Sequence, residues 1–354
     1  MKILGIETSC DETAAAIVGD DGEGLARIRS NLVFSQLAEH RPYGGIVPEV
    51  AARAHLERLD GLIAQALDEA GVGFADLDGV AATGGPGLIG GVIVGVMEAK
   101  AMAFARNLPF IAVNHLEGHA LSARLAADVP FPFLLLLVSG GHCQLLAVEG
   151  VGRYCRLGTT FDDAAGEAFD KGAKLLGLGY PGGPAIERAA ISGDASRIKL
   201  PLPLRGREGC DFSFSGLKTA LRERVEKKGI FDDTFRADAA ASLQQAIGDH
   251  LLDRTGNALA LFRALYPSGR TLVVAGGVAA NKSLRARLGD LASREGFDFV
   301  APPQSLCTDN GAMIAWAGLE RLKLGLVDPL DFAPRPRWPL DPNARPAPGA
   351  GVKA

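Results

Sequence analysis

The sequence lacks the marks of secreted, disulfide-bonded and membrane-spanning proteins. Its five cysteines are odd in number, widely spaced and without a Cys-x-x-Cys pair, which is typical of reduced thiols in a cytoplasmic protein. The longest apolar run, residues 129–138, contains two prolines and has only ten residues, where roughly 20 are needed to span a bilayer. The acidic residue Glu7 comes too early for a secretory leader. We therefore expect a soluble, cytoplasmic protein with no membrane segment.

An overall excess of positive charge is also missing. Lys and Arg number 37 against 41 Asp and Glu, a net charge of −4, which excludes nucleic-acid binding through overall charge but leaves room for a local basic face. Residues 197–228 carry nine basic and four acidic residues, a local net charge of +5. This pattern fits either a solvated helix face or a contact to a phosphate backbone.

Two motifs of phosphate and metal chemistry are absent. The chain has no Gly-x-x-x-x-Gly-Lys-Ser/Thr, so it has no P-loop, and in place of His-Glu-x-x-His it has HLEGH at residues 115–119. On a helix, His115 and His119 share one face, where they are either ligands of one metal ion or surface and capping features. Glu117 lies about 200° from His115 around the helix and points away from that face, so a zinc-protease reading is disfavoured.

Glycine is in excess, with 45 residues, or about 13% against a usual share of about 7%. Three glycine or small-residue turns follow predicted strands and offer backbone N–H groups to a phosphate. They are TSCDET from Thr8, SGGH from Ser139 and AGGVAAN from Ala275. A fourth, TGGPGLIGG from Thr83, lacks the acidic partner of a dinucleotide-binding fingerprint and fits a tight turn that lets the next helix pack closely on a strand.

The hydrophobic pattern alternates strands with helices, which predicts an α/β protein. Strand-like runs lie at 2–6, 13–18, 79–82, 110–113, 133–138, 143–148 and 271–275, and helical stretches at 48–70, 91–105, 160–176, 237–265 and 313–324. Two strands, followed later by a strand, a glycine pair and a helix, occur in both halves. The first strand of the pair and the later strand are 76 residues apart in the first half (residues 4 and 80) and 137 residues apart in the second (residues 135 and 272). This order predicts a duplication with a 61-residue insertion in the second copy.

The duplication predicts two lobes and a tail. The N-terminal lobe comprises residues 1–110 and 310–330, and the C-terminal lobe residues 111–309, with the insertion at about 158–228. Residues 333–354 form a proline-rich tail that we expect to be disordered or extended on the surface.

Asp309 begins another predicted helix, in LCTDNGAMIAWAG from Leu306. Thr308, Asp309 and Asn310 could each cap that helix. Spacing alone leaves Asp309 as either a cap or a third metal ligand.

Eight segments together resemble, in order, the motifs of the TsaD family, the bacterial tRNA adenosine threonylcarbamoyltransferases. They are GIETSCDETAAAIV, YGGIVPEVAARAHLE, KAMAFARNLPFIAVNHLEGHAL, LLVSGGH, EAFDKGAKLLGLGYPGG, FSFSGLKTA, GGVAAN and LCTDNGAMIA. The resemblance covers roughly residues 1–325. It implies the duplicated actin-like, sugar-kinase-like ATPase fold, which agrees with the internal repeat.

The resemblance also implies site residues. One divalent metal ion, iron or zinc, would be bound by His115, His119 and Asp309. ATP or an adenylate would be bound by Leu137, Val138, Ser139, Gly140 and Gly141, together with Asp170, Gly183 and Asn281. Glu187 stands where some members have another acidic nucleotide contact. Asp11 and Glu12 are the acidic residues placed near the reaction centre, either of them as the proton acceptor.

The implied reaction moves a threonylcarbamoyl group from threonylcarbamoyl-AMP to the N6 amine of the adenosine 3′ to the anticodon, in tRNAs that read codons beginning with A. The implied partners are the tRNA anticodon stem-loop, guided by Arg222 and Arg224, and TsaB-like and TsaE-like proteins. A small-molecule kinase or ATPase of the same fold is the main alternative, although it has no need of HLEGH and Asp309. A non-catalytic scaffold in a tRNA-modification complex is a second alternative.

Overall fold

The computed structural model describes residues 1–43 and 45–345, in which ten strands form two five-stranded sheets. The first sheet contains β1 Lys2–Glu7, β2 Glu12–Gly19, β3 Ile28–Ser35, β4 Gly79–Gly85 and β5 Phe110–Asn114. The second contains β6 Phe133–Val138, β7 Cys143–Gly150, β8 Arg153–Thr159, β9 Thr271–Ala275 and β10 Asp298–Val300. The helices are α1 Leu37–His40, α2 Pro48–Ala70, α3 Ile89–Arg106, α4 His115–Ala126, α5 Ala165–Leu175, α6 Gly182–Ala190, α7 Ser215–Lys228, α8 Asp233–Leu265, α9 Lys282–Arg294 and α10 Gly311–Lys323.

The two sheets have the same strand order. The first runs β3-β2-β1-β4-β5 and the second β8-β7-β6-β9-β10. In each, the first two strands form an antiparallel pair, and the first strand lies parallel to the strand that arrives later in the chain. This repetition confirms the predicted α/β fold with an internal duplication.

The chain divides into two compact units. Unit 1 comprises residues 1–129, 150–153 and 302–342, and the described part of unit 2 comprises residues 130–149, 154–301 and 343–345. The boundaries predicted at 110/111 and 309/310 therefore differ from those observed. At the first boundary the difference arises because α4 packs on α10, which itself packs on β1 and β2, so that α4 belongs to unit 1.

Unit 1 buries its sheet on both faces. Leu4 and Ile6 of β1 belong to a core cluster with α2 and α3, while the alternate residue Gly5 faces α10. A side chain at Gly5 would place its Cβ 2.3 Å from the backbone nitrogen of Ala315. Glycine at this position thus allows α10 to lie directly on β1, so both faces of the strand are covered, which explains why its residues 3–6 are all nonpolar.

Helix α2 has the predicted bounds because both of its ends are marked in the sequence. Pro48 occupies the first turn, and Gly71 ends the helix in the left-handed conformation at φ 63°. Helix α5, by contrast, begins at Ala165 rather than at residue 160 as predicted. The reason is Asp162, whose carboxylate accepts hydrogen bonds from the backbone and side chains of residues 213–215 and so fixes the preceding residues outside the helix.

The two halves differ most in the connection before the first long helix. The connection from β3 to α2 has 12 residues (36–47), and the connection from β8 to α8 has 73 (160–232), a difference of 61. The longer one contains α5, α6 and α7, including the basic stretch.

The first part of the proline-rich tail packs on unit 1. The rings of Phe332 and Trp338 lie 5.6 Å apart, and the Arg335 N–H donates to the carbonyl of Gly84 at 2.8 Å. The Asn114 amide donates to the carbonyl of Trp338 at 2.8 Å. Over these residues the tail is docked rather than disordered; residues 346–354 lie outside the described residues.

Two further expectations concern cysteines and membrane segments. All five cysteines are free, in agreement with their predicted reduced state. Among the described residues, no helix is both long and apolar enough to cross a membrane.

Candidate metal and nucleotide sites

Three side chains of the kinds that bind metal ions come together in unit 1. Helix α4 begins with His115 directly after β5, and Asp309 directly precedes Asn310, the N-cap of α10. The Asn114 side chain caps α4 by accepting from the N–H of Leu116 at 2.9 Å. This cap places His115 in the first turn and His119 one turn later on the same face.

The side chains of His115, His119 and Asp309 converge. Asp309 Oδ1 lies 3.1 Å from His119 Nε2 and 3.6 Å from His115 Nε2. The three candidate ligand atoms all lie within 4.8 Å of one another. Metal–ligand bonds of about 2.1 Å would place neighbouring ligand atoms about 3.0–3.4 Å apart in octahedral or tetrahedral geometry, close to the two distances observed.

The donor set also fits a metal ion chemically. Two imidazoles and one carboxylate form the ligand set of many iron(II) and zinc sites that keep positions open for substrate. Both imidazoles are buried and Asp309 is one-fifth exposed, so the cluster can be reached from one side. This donor set does not distinguish iron from zinc.

Glu7, which was not predicted as a site residue, contacts His115 at Nδ1, the ring nitrogen that does not face Asp309. Its Oε2 accepts from His115 Nδ1 at 3.0 Å and from the Thr83 hydroxyl at 2.5 Å. Its Oε1 accepts from the N–H of Ser9 at 2.5 Å. A carboxylate that holds Nδ1–H directs the lone pair of His115 Nε2 toward Asp309, as outer carboxylates do in metal sites. In the sequence, the signal available for Glu7 was an acidic residue directly after the apolar run of residues 3–6.

Charge inside the cluster alters two pKa values. Burial by itself would raise the pKa of Glu7, but attraction to His115 and their hydrogen bond lower it. Burial by itself would lower the pKa of His115, but the carboxylates of Asp309 and Glu7 outweigh it and raise the pKa to about 9. The two carboxylates thus make the surroundings of His115 favourable to positive charge.

The N-cap of α10 is Asn310 rather than Asp309. Asn310 Oδ1 accepts from the N–H of Met313 at 2.9 Å and caps α10. The carboxylate of Asp309 faces the imidazoles. On the other side of α4, Glu117 accepts from the N–H of Gly152 at 2.9 Å and pairs with Arg321 at 3.0 Å. Glu117 thus points away from the cluster, as its position around the helix predicted.

Glu12 interacts electrostatically with Asp309 of the cluster and with its neighbour Asp11. Asp11 is buried and Glu12 is half-buried. The pKa of Glu12 is raised to about 10, first by burial and then by the charges of Asp309 and Asp11. The charge of Asp309, a candidate metal ligand, therefore acts on Glu12.

Helix α3 packs against the turn after β1 through glycines. A Cβ at Gly91 would lie 2.3 Å from the carbonyl oxygen of Thr8, and one at Gly87 would lie 2.6 Å from that of Ser9. The N–H of Leu88 donates to the Ser9 carbonyl at 2.8 Å. The predicted close packing in this glycine segment is confirmed, with the Thr8–Ser9 turn as the partner. It fixes the backbone that carries Glu7 and Asp11.

A buried hydrogen-bond relay approaches the same turn from α2. The N–H of Val47 donates to His40 Nδ1 at 3.3 Å, so the proton of this imidazole is on Nε2, which donates to Gln36 Oε1 at 3.2 Å. The Gln36 amide nitrogen then donates to the Thr13 hydroxyl at 3.2 Å.

The relay continues to Cys10 with the same polarity. The Thr13 hydroxyl donates to His55 Nδ1 at 2.8 Å, and His55 Nε2 donates to the carbonyl of Cys10 at 3.1 Å. Burial lowers the pKa of His55, which favours the neutral imidazole that the relay requires. Every donor is matched to an acceptor, so residues 36–47 and the Cys10 turn are held in one arrangement.

The predicted phosphate turn lies in unit 2 between β6 and β7. The N–H of Ser139 donates to the carbonyl of His142 at 2.8 Å, and the Ser139 hydroxyl accepts from the N–H of His142 at 3.1 Å. Gly140 and Gly141 are exposed, with open space where a side chain would be. The turn is therefore open to solvent at these two glycines. Leu137 and Val138, predicted in the same loop, are buried residues at the end of β6, so the loop begins at Ser139.

Two glycines bring neighbouring elements onto this turn. The N–H of Gly166, at the start of α5, donates to the carbonyl of Ser139 at 3.2 Å. Gly276, after β9, has φ +95°, and a Cβ there would lie 2.4 Å from the carbonyl of Val138. The ends of β6 and β9 and the start of α5 therefore meet at the turn.

The remaining predicted nucleotide residues contact the starts of two helices, α6 and α9. Asp170 Oδ1 accepts from the N–H of Gly182 at 2.7 Å, at the start of α6. Glu187 Oε1 accepts from the N–H of Lys282 at 2.8 Å, at the start of α9. Asn281 caps α9 through Leu284 and donates to Gln244 Oε1 at 2.8 Å. These acceptors are engaged within the protein, while Gly183 has open space beside it.

Comparison with solved structures defines the fold class. The chain is similar to full-length HypF in its phosphate- and nucleotide-bound form, with a TM-score of 0.60, 14% identity, and coverage of 91% of this chain and 46% of that one. It is also similar to component A of (R)-2-hydroxyglutaryl-CoA dehydratase from Acidaminococcus fermentans, with a TM-score of 0.51, 14% identity, and coverage of 91% and 99%. The fold is that of the actin-like, sugar-kinase-like ATPases.

The particular family follows from sequence comparison. The family model described as TsaD, tRNA N6-adenosine threonylcarbamoyltransferase, matches residues 27–316. A protein of that name from Rhodospirillum rubrum is 65% identical, over 100% of this chain and 99% of the relative. One from Paramagnetospirillum magneticum is 62% identical, over 98% and 99%. The chain belongs to the TsaD family.

Proposed function

We propose that the protein transfers the threonylcarbamoyl group of threonylcarbamoyl-AMP to the N6 amine of the adenosine 3′ to the anticodon, in tRNAs that read codons beginning with A. The observation that carries the proposal is the cluster of His115, His119 and Asp309 in a member of the TsaD family. A kinase of the same fold has no use for this donor set.

In the proposed reaction, the N6 amine attacks the carbonyl carbon of the carbamoyl group. A C–N bond forms, the C–O bond to the phosphate breaks, AMP leaves with the electron pair, and the amine loses one proton. Because the amine of adenine is a weak nucleophile, positioning supplies much of the acceleration. Of the two acids, Asp11 accepts the proton, because the raised pKa of Glu12 favours its protonated form.

The metal dependence of the enzyme is part of the proposal. His115, His119 and Asp309 would hold a divalent ion, iron or zinc, which when bound supplies Lewis acidity to the carbonyl of the substrate. Glu7 holds the tautomer of His115 that such an ion needs, through its 3.0 Å contact to Nδ1. The Thr8–Ser9 turn, fixed by α3 and the relay, keeps Asp11 and Glu12 in place.

Nucleotide binding is assigned to unit 2. The N–H groups of Gly140 and Gly141 bind the phosphate of ATP or the adenylate, and Gly183 leaves room beside α6 for the rest of the nucleotide. Asp170, Glu187 and Asn281 contribute by fixing the starts of α6 and α9. Beyond tRNA, the proposed partners are TsaB-like and TsaE-like proteins, and the proposed location is the cytoplasm.

A transfer assay tests the function directly. The full chain, with its TsaB-like and TsaE-like partners, is incubated with threonylcarbamoyl-AMP and an unmodified tRNA transcript, and the digested nucleosides are analysed by mass spectrometry. We expect threonylcarbamoyladenosine at the position 3′ to the anticodon. Phosphorylation of small substrates without any modified nucleoside would instead establish the kinase alternative.

The metal role is tested by alanine substitution of two candidate ligands, with an exposed aspartate as the control. Asp309→Ala and His115→Ala should abolish metal binding and transfer together, whereas Asp331→Ala, at an exposed position of the same unit, should retain both. Full activity of His115→Ala would remove the metal from the mechanism. Asp11→Asn and Glu12→Gln, assayed with normal metal content, identify the proton acceptor by the larger loss of kcat.

A further inference from the structure

An open basic groove of about 510 Å³ lies on unit 2, within the insertion and the start of α8. Its lining includes five cationic side chains and one aromatic ring. These are Arg197, Lys199, Arg224, Lys227, Lys228 and Phe235. Among the described residues that line the groove, none is acidic.

The cations come from two directions. Arg224, Lys227 and Lys228 lie at i, i+3 and i+4 on α7 and therefore share a face of that helix. Arg197 and Lys199 belong to the segment between α6 and α7. The groove is thus built by separate chain segments brought together in the fold, rather than by a single run of lysines.

Most of this charge is not compensated within the protein. Arg197 lies 3.7 Å from carboxylate oxygens of Asp194 and Asp238. In the described part of the chain, Lys199, Arg224 and Lys227 form no ion pair within 4.0 Å. Like charges gathered in this way attract counterions, which a polyanion can displace with a gain in entropy.

Arg222 differs from its neighbour on the same helix. It pairs with Glu226 at 3.9 Å and does not line the groove, whereas Arg224 does. The two arginines that the sequence analysis grouped as RNA contacts are therefore separated by the fold.

We propose that this groove binds the sugar–phosphate backbone of tRNA, an inference that rests on the proposed function. A series of exposed, solvated cations suits successive phosphates, while a single small anion is held by enclosed donors. Phe235, at the groove wall with Lys228 Nζ 5.8 Å from its ring centre, offers a surface for stacking of an unpaired base. A protein partner is a poorer fit because lysine is depleted at protein–protein interfaces.

The test measures tRNA affinity as a function of salt. The full chain, alone and with its TsaB-like and TsaE-like partners, is titrated with a tRNA transcript at several salt concentrations. The triple variant Lys199→Gln/Arg224→Gln/Lys227→Gln should reduce the slope of log K against log salt by about 2 to 3 and weaken binding at low salt by about 10- to 100-fold. The melting temperature checks that the variant is folded.

The matched controls are Arg224→Gln and Arg222→Gln, which remove the same charge two residues apart. Arg224→Gln should reduce the slope by about 1, and Arg222→Gln should leave it unchanged. An unchanged slope in the triple variant, or equal effects of the two single variants, overturns the proposal. So does a loss of partner binding with normal tRNA affinity, which would indicate an acidic protein as the occupant. Because affinity is measured without transfer, failure of the groove and failure of the proposed activity are distinguishable.

Discussion

His55 donates a hydrogen bond from Nε2 to the carbonyl oxygen of Cys10 at 3.1 Å, and thereby joins a helix of the scaffold to the turn that carries the acidic residues. On its other side, Nδ1 accepts from the Thr13 hydroxyl at 2.8 Å. The imidazole is fully buried, so neither nitrogen has water as a substitute partner. The turn is therefore held by a donor whose own orientation is fixed.

Thr13→Val should destabilise the protein by about 1–3 kcal/mol. Valine has nearly the same shape but removes the hydroxyl that donates to His55 Nδ1 and accepts from Gln36. Only the Gln36 amide, 3.2 Å from His55 Nδ1, then remains to satisfy that buried nitrogen. Urea unfolding measures the loss. Thr219→Val, at an exposed position on α7, is the matched control and should stay within about 0.5 kcal/mol of the parent. Equal stability of the two variants would contradict the relay.

Glu7→Gln should lower metal affinity by about 10- to 100-fold without removing a ligand. Glutamine can still accept from His115 Nδ1 through its oxygen, but it has no negative charge to raise the basicity of the imidazole. Competition with a chelator measures the affinity. Asp20→Asn, at the opposite end of β2, should leave the affinity unchanged, and a similar loss in both variants would show that Glu7 acts only through general electrostatics.

Protonation of His250 should destabilise the protein at mildly acidic pH. Its Nε2 accepts from the N–H of Ser213 at 3.1 Å, between the rings of Phe212 and Phe214. Burial first, and then the charge of Arg254, lowers its pKa to about 4, below the unfolded value of about 6.5. The unfolded chain therefore binds the proton more readily between pH 6.5 and 4, and stability is lost as the pH falls through this window.

From pH 7 to pH 5 the contribution of His250 is about 2 kcal/mol. Urea unfolding at pH 7 and pH 5 measures the loss in the free energy of unfolding. The loss should be larger by this amount in the parent protein than in His250→Gln, whose side chain does not titrate. Identical pH dependence of the parent and the variant would place the acid sensitivity elsewhere.

Gly276→Ala should weaken nucleotide binding at least tenfold, and Gly277→Ala should not. The first substitution strains a residue at φ +95° and forces a Cβ to within 2.4 Å of the carbonyl of Val138, directly before the phosphate turn. The second adds a methyl group where there is open space. Calorimetric titration with ATP compares the two. Equal affinities would exclude the β9 loop from the nucleotide site.

Local signals made part of this structure predictable. Helix α2 carries Pro48 and Gly71 at its ends, and His115 and His119 are one helical turn apart, so their shared face follows from spacing alone. Buried strands such as β6 are continuous apolar runs. Strand β3 was not predicted because its residues are mixed in polarity and only one of its eight, Ser30, is buried.

The parts that were missed depend on contacts between distant residues. Glu7 and His115 are 108 positions apart, and no local pattern pairs a strand-end carboxylate with a particular imidazole. The late start of α5 depends on Asp162 and residues more than 50 positions away. The docking of Trp338 depends on Asn114, 224 positions earlier. Each is decided by packing, which the periodicity of the sequence does not contain.

The two sheets share one strand order, but the turn after the first strand differs chemically between them. Strands β1 and β2 are joined by four residues, 8–11, and strands β6 and β7 also by four, 139–142. By strand order, Glu7 at the end of β1 corresponds to Val138 at the end of β6. The first hairpin has a buried acid, Glu7, beside the candidate metal ligand His115. The second has an apolar residue, Val138, directly before the open glycine turn. The two hairpins nevertheless differ in register, because Glu7 pairs with Ala14 whereas Val138 pairs with Cys143. Divergence of the two copies therefore changed the pairing beside the turn as well as the residues in it.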